Sequence, residues 1–455
     1  MNLVMYSLII NMMICLYLAY RIYQSTNDAL HYGIIFLLLF IITYPLKIYI
    51  TISYGINVLN VDEVPVNGYW FTIFISNTGA IIFIFPIFIF KKIIVKSNQS
   101  LEIQNRILNK KSMFLWLLLL AISIVFLSYG FDAIKAVFSF SQQEMANRIT
   151  ERTGERVGAG LNAVLRSVGI TLIYIYIMKI SDNFSYFSKI KKLLLLVILL
   201  VSSYLLLAVS GSKVMALFPW VVFLLYYNRL KLRKNMHGIS VKLLIYVGTL
   251  SLFSIALLGY IRGFGTIVSE YGYSATYLAF RQLTNAFDAG DNLLLLLHRM
   301  ENIMFGEIYF HTTIDYLTSW IPRFIWADKP LVRGNQYIMQ YIFPERFGGH
   351  MGEAISSSLH GQLLLDGGFF YMIFMIFIMG LLYRYLYYLF IRKNNFFLHI
   401  IYIWFTINIF GLLRSGFGIF SGFINFSFGM VIVYIFYNIL KKKYSTKDKY
   451  KKESY

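Results

Sequence analysis

Between residues 261 and 366 lie four of the seven histidines, His298, His311, His350 and His360. Seven cations accompany them: Arg262, Arg281, Arg299, Arg323, Lys329, Arg333 and Arg346. So do ten acids: Glu270, Asp288, Asp291, Glu301, Glu307, Asp315, Asp328, Glu345, Glu353 and Asp366. Three more cations stand at the ends of apolar runs: Arg166, Lys213 in Ser210-Gly211-Ser212-Lys213, and Arg414 in Leu413-Arg414-Ser415-Gly416. Charges at membrane depth are costly and point to function by default. A cation within a turn of the surface can also reach water, so each of the three alone reads equally as a snorkelling or structural group. Taken together, three hairpin ends and a cation-bearing loop on one face suit an anionic head group such as a diphosphate. Arginine fits that group through paired hydrogen bonds.

Transfer to a hydroxyl needs a group that takes its proton, commonly His, Asp or Glu. The stretch from Phe347 to Gln362 concentrates such groups, and His350, Glu353 and His360 are the candidates there. An ordinary loop hydrogen bond is the competing reading of each. There is no P-loop, no His-Glu-x-x-His, no cysteine cluster and no Gly-x-Ser-x-Gly elbow. Energy for a reaction then comes from the substrate or from a gradient.

The elements that must carry these residues are membrane spans. The chain has 455 residues, 58% hydrophobic and 14% charged, where a soluble domain has about 25% charged. Apolar runs near the length of a membrane-crossing helix recur. The alternation of barrel strands is missing. The expected fold is an all-α polytopic membrane protein with eleven spans, at about 3–20, 32–52, 69–90, 113–129, 161–180, 193–209, 214–228, 241–260, 367–388, 397–413 and 419–439. No cleavable leader is evident, and the first run reads as a retained span. Cys15, the one cysteine, excludes an internal disulfide.

Charge assigns the faces. One alternate set of connections, with flanking Lys179, Lys242 and Arg384, holds 26 Lys and Arg against 5 Asp and Glu. The other set holds 15 against 16. By the positive-inside rule the first set is cytoplasmic, so the N-terminus lies outside and the C-terminus inside. The net charge of +20 then marks topology, not nucleic acid, and the tail from 440 is an anchor beside anionic lipid. Four regions follow: a bundle over 1–260 with an outer loop at about 130–160, a large outer loop over 261–366, spans over 367–439, and the basic tail 440–455. In the first loop Glu144, Arg148, Glu151, Arg152, Glu155 and Arg156 read as a solvated helix. A structureless loop of the second one's length is improbable, so it should contain helices.

The stretch Ile321-Pro-Arg-Phe-Ile-Trp-Ala-Asp-Lys-Pro330 resembles the Pro…Trp…Lys/Arg-Pro motif of bacterial oligosaccharide repeat-unit polymerases, the O-antigen and enterobacterial common antigen polymerases. Ser-Gly-Ser-Lys213 looks like the family's Gly-Ser/Thr-Arg/Lys turn. The run Asp288–Glu301, the motif and Leu365-Asp-Gly-Gly368 follow in the family's order. The resemblance implies a glycosyltransferase-C-like fold, no nucleotide or metal cofactor, and an undecaprenyl-diphosphate-linked oligosaccharide as substrate. It also implies a cell inner membrane location and a chain-length regulator as a partner besides membrane lipid. It places Arg323 and Lys329 in the motif and Lys213 in the turn. Many relatives read Gly-Glu where this chain has Gly361-Gln362, and Arg where it has Lys213. A capsule polymerase would look alike.

Two other readings stay open. An O-antigen ligase has similar topology, but typically an Asn-Pro in its loop, a dipeptide this chain lacks. A lipid-linked oligosaccharide flippase usually has more spans and charges lining a central cavity, whereas Lys47 is the main charge within a span here.

Overall fold

A computed structural model describes residues 1–54, 64–90, 159–183, 213–233, 287–300, 308–318 and 358–453, with a few single positions between them. The expected spans 113–129, 193–209 and 241–260 and most of the 130–160 loop lie outside the described residues. All regular structure among the described residues is helical. The helices are α1 (Asn2–Thr26), α2 (Tyr32–Thr43), α3 (Pro45–Tyr54), α4 (Val66–Ile89), α5 (Ala159–Asn183), α6 (Lys213–Arg233), α7 (Ala289–Arg299), α8 (His311–Thr318), α9 (Leu359–Arg392), α10 (Phe396–Ile407), α11 (Ile409–Ser415) and α12 (Gly418–Glu453).

Six stretches are long and apolar enough to cross a membrane: Asn2–Thr26, Tyr32–Ser53, Val66–Ile89, Val164–Asp182, Leu359–Arg392 and Gly418–Ile439. The pair α10 and α11, bent by 45° at Asn408, makes a seventh if counted as one span. The chain is a membrane-spanning helical protein. Helix α6 covers the expected span 214–228 but is not among these stretches.

Contacts divide the chain into two compact units. The first comprises residues 1–94, 256–388 and 405–422, the second 95–255, 389–404 and 423–455. In the second unit Tyr174 of α5 meets Phe218 of α6 edge-on at 4.3 Å and Phe426 of α12 at 5.8 Å. Arg229 is fully buried. Its Nε donates to the Phe390 carbonyl and its Nη2 to that of Lys393, at 2.8 Å. These carbonyls end α9 and have no partner within the helix, which the guanidinium replaces.

The first unit has an aromatic centre. Phe36 of α2 stacks on Phe83 of α4 at 3.9 Å, and Phe83 meets Tyr383 of α9 at 5.3 Å. Contacts fix the relative directions of the helices. Phe74 stacks near Phe369 at 6.1 Å and Phe83 lies at Gly380, so α4 and α9 run parallel. Tyr32 lies by Tyr383 and Tyr44 by His360, so α2 runs against α9. Tyr383 bonds the Phe405 carbonyl and Ser358 that of Arg414, so the α10–α11 span also opposes α9. The end of α3, the starts of α4 and α9, and Arg414 thus share one end of this unit.

Two backbone interruptions lie at that end. Pro45 has no N–H to continue α2, and Tyr44 leaves helical geometry at φ −117° and ψ −81°. Within α9, Gly368 adopts φ 77° and ψ −169°. The 34 residues of α9 would measure about 51 Å as one helix, against roughly 30 Å of hydrocarbon. The part after Gly368, about 36 Å at the same rise, suffices to cross. Helix α9 thus begins at Leu359 within the expected loop, and its break at Gly368 falls beside the expected start of the span at 367.

Helices α4 and α9 touch at Gly380, where an added Cβ would stand 2.3 Å from the Phe83 carbonyl oxygen. Backbone cannot yield there as a flexible side chain could. Gly380→Ala should destabilise the protein by about 1–3 kcal/mol, read as a lowered thermal midpoint in detergent. Gly411→Ala, whose Cβ would meet the Ile419 Cγ2 at 3.2 Å and the Asn408 Oδ1 at 3.9 Å, both side-chain atoms, should cost less.

Candidate functional site

The shared end of the first unit gathers a polar cluster from segments far apart in sequence. Helix α7 begins at Ala289, after Asp288, and carries an apolar face from Leu293 to Leu297. It is enclosed from Ala289 to Leu297 and packs on α3 and α4. The inter-span segment thus packs against the bundle here. The reason is Lys47. Its side chain is 1% exposed and its Nζ lies 2.9 Å from Asp291 Oδ2. Thr51 Oγ1 donates to the same carboxylate at 3.0 Å. Burial pushes the Asp291 carboxyl up to about 6, with Lys47 and Thr51 opposing the rise. Desolvation therefore outweighs the attraction, as is common for enclosed ion pairs, and the pair specifies position more than it adds stability.

The start of α9 forms the second part. The Asp366 carboxylate accepts from Thr312 N at 3.0 Å, Thr312 Oγ1 at 2.6 Å, Thr313 N at 2.9 Å and Thr313 Oγ1 at 2.6 Å. It caps the N-terminus of α8 from another segment, where amides lack helical partners and negative charge is favoured. Gln362 Nε2 donates to Thr312 Oγ1 at 2.8 Å, while its Oε1 accepts from Phe417 N at 2.8 Å. One side chain must both donate and accept, which an amide does and a carboxylate cannot. This gives Gln362 a physical reason where the resemblance had expected Glu. Gly416, at φ 56°, makes room: a Cβ there would stand 1.8 Å from Gln362 Oε1.

His360 is fully buried. Its Nδ1 lies 2.8 Å from the Tyr44 hydroxyl, which donates to the Leu413 carbonyl at 3.1 Å. The Nε2 abuts α4, where a Cβ on Gly79 would stand 2.2 Å away. Neither nitrogen is open to a substrate in this arrangement, so the geometry gives the base candidate His360 a packing role.

Arg414 completes the cluster. Its carbonyl accepts from Ser358 N at 2.8 Å, and its Nε donates to Asp288 Oδ1 at 3.0 Å. The side chain is 38% exposed, and Asp288 holds the Nε edge of its guanidinium. Arg166 is half-buried in α5, and Lys213 starts α6, its side chain outside the described residues; both belong to the second unit. Arg262, Arg281, Arg323, Lys329, His350 and Glu353 lie outside the described residues. The structure thus joins Arg414 and His360 with Lys47, Tyr44, Asp288, Asp291, Gln362 and Asp366. Of these last six, none had been singled out as a site residue. An isolated lysine in an apolar run demands a counter-charge, and that was the available signal.

Among the described residues no group of His, Cys, Asp and Glu could hold a metal ion. Comparison with protein-family models, curated proteins and solved structures finds no match for the chain.

Lys47→Met or Asp291→Leu alone leaves a buried charge unpaired and should cost about 3–5 kcal/mol. The double variant should recover most of this, read as thermal midpoints of a double-mutant cycle in detergent. Gln362→Glu should cost about 1–3 kcal/mol, because it removes the donor to Thr312 and brings a second carboxylate toward Asp366. An unchanged midpoint for Gln362→Glu would mean that this bridge does not hold α8 and α9 together.

Proposed function

We propose that the protein is a lipid-diphosphate-dependent glycosyltransferase that polymerises oligosaccharide repeat units at the outer face of a bacterial inner membrane. The observation that carries this reading is Arg414. It stands at one end of the first unit, with its guanidinium Nε on Asp288 and its side chain part-exposed. The polymerase-like motif at Ile321–Pro330 belongs to the segment that enters the bundle at the same end. The excess of basic residues in the alternate connections supports an outer position for that end.

In this reading the donor is a glycan on undecaprenyl diphosphate, and the acceptor is one lipid-linked repeat unit. The acceptor hydroxyl oxygen bonds to the anomeric carbon as the bond from that carbon to the diphosphate oxygen breaks. The hydroxyl proton passes to a base, and undecaprenyl diphosphate leaves with the electron pair. The leaving group is already activated, so the protein needs to orient the reactants and stabilise the charge that grows on diphosphate. Arg414 supplies a cation for that charge, and the sequence offers Arg166, Lys213, Arg262, Arg281, Arg323 and Lys329 as further candidates. Glu353 or His350 takes the proton, because His360 has no accessible nitrogen.

A deletion strain should make surface glycan capped with a single repeat, visible as loss of the electrophoretic ladder. Long lipid-linked chains without surface glycan would show a ligase instead. Single units retained on the inner leaflet would show a flippase. Arg414→Ala, Lys213→Ala and Arg323→Ala should each abolish long chains at normal protein level. Wild-type ladders from all three would remove the diphosphate clamp.

A further inference from the structure

The turn before α8 exposes aromatic side chains where a water-facing loop would carry polar ones. Tyr309 is 74% exposed, and Phe310, His311 and Ile314 are also exposed, whereas Thr312, Thr313 and Tyr316 face inward. Tyr309 and Phe310 both adopt positive φ, at 42° and 65°. Bulky residues rarely take that conformation. Two backbone bonds hold them there: Ile308 N to the Leu365 carbonyl at 3.1 Å, and Phe310 N to that of Asp366 at 2.9 Å. A third, Phe369 N to the Ile303 carbonyl at 2.9 Å, ties the preceding segment to the same place. The Phe310 ring meets Tyr371 edge-on at 4.8 Å.

All these ties fall between Leu365 and Tyr371, around the break at Gly368 where the crossing part of α9 begins. The turn is therefore fixed in depth against that helix. The apolar surface continues from it. On α9, Phe370 is 67% and Phe374 59% exposed, and beside them Trp70, Phe71 and Phe74 of α4 are exposed too. These α4 and α9 faces belong to stretches long and apolar enough to cross a membrane. Aromatic side chains with a polar edge collect at the level of lipid head groups.

We infer that the Tyr309–Ile314 segment is a membrane-interface anchor, with the Tyr309 and Phe310 rings and Ile314 seated in the phospholipid head-group layer as a continuation of the lipid-facing surface of α4 and α9. The anchor sets the depth of Asp366, Thr312 and Gln362, which are bonded to the same helix. It does not depend on the proposed transfer reaction.

The test uses the full chain in vesicles of phosphatidylethanolamine and phosphatidylglycerol. In a Cys15→Ala background, nitroxide labels are placed at Tyr309→Cys and, separately, at Ile314→Cys, with Phe374→Cys as a deeper reference. Variants that keep the wild-type thermal midpoint are read by power saturation against oxygen and a water-soluble nickel chelate. The expected oxygen-to-nickel ratio at 309 and 314 lies above that of a label in water and below that at 374. A ratio equal to that in water would overturn the proposal by placing the segment in solvent. Exclusion of both reagents would also overturn it, by showing that protein covers the face.

Discussion

Lys47 lies near the end of an apolar helix with almost none of its side chain exposed, and an ammonium so placed requires a carboxylate in contact. Its own helices supply none. The carboxylate comes from Asp291, more than two hundred residues away, and to reach it α7 must lie against α3 and α4. The Gly290 backbone makes that approach possible, because a Cβ there would stand 3.0 Å from the Thr43 carbonyl oxygen. The interruption at Tyr44 and Pro45 lies at the same contact. One costly charge thus determines where the start of the long connection goes.

The rest of the cluster follows from satisfying polar groups once that segment is inside. Asp288, one turn before Asp291, lies within reach of Arg414. Tyr44, turned by the break at Pro45, bridges His360 and the Leu413 carbonyl. Ser358 and Gln362 bind the backbone of Arg414 and Phe417. Each bond holds a group whose exposure to lipid without a partner would be costly. The bonds are shared among α2, α9, α11 and α12, so the position of Arg414 is determined by several segments at once. An arginine in an unsupported turn would lose that orientation when binding an anion.

The crossing helices were legible because they depend on local composition. The runs at 3–20, 32–52, 69–90 and 419–439 correspond closely to helices or helix pairs of the structure. The break at Gly368 was legible as the Gly367-Gly368 pair, beside the expected loop boundary. Pairings across the chain were not legible. Asp291 appeared as one of ten loop acids, and nothing local marks it as the partner of Lys47. His360 looked like a base because it follows a glycine-rich polar stretch, yet its surroundings are Tyr44 and Gly79, distant in sequence. Gln362 read as a departure from a family pattern. Its bonds to Thr312 and Phe417 explain it, and they depend on a tertiary arrangement that spacing does not encode.

The same distinction separates two kinds of charge in this bundle. Lys47 and Asp291 are sealed and face each other, so their chemistry is spent on position. Arg414 and Asp288 form a similar contact at the surface, where solvent screens it and Asp288 holds Nε rather than the outer edge of the guanidinium. A carboxylate on Nε does not block that edge. It fixes the plane of the guanidinium and limits the rotamers it can adopt, which lowers the entropy lost when an oxyanion binds. A lysine at this position could not be held on one side and remain bidentate on the other. The residue type, its half-exposure and its partner therefore agree in making Arg414 the described cation best suited to bind an anion.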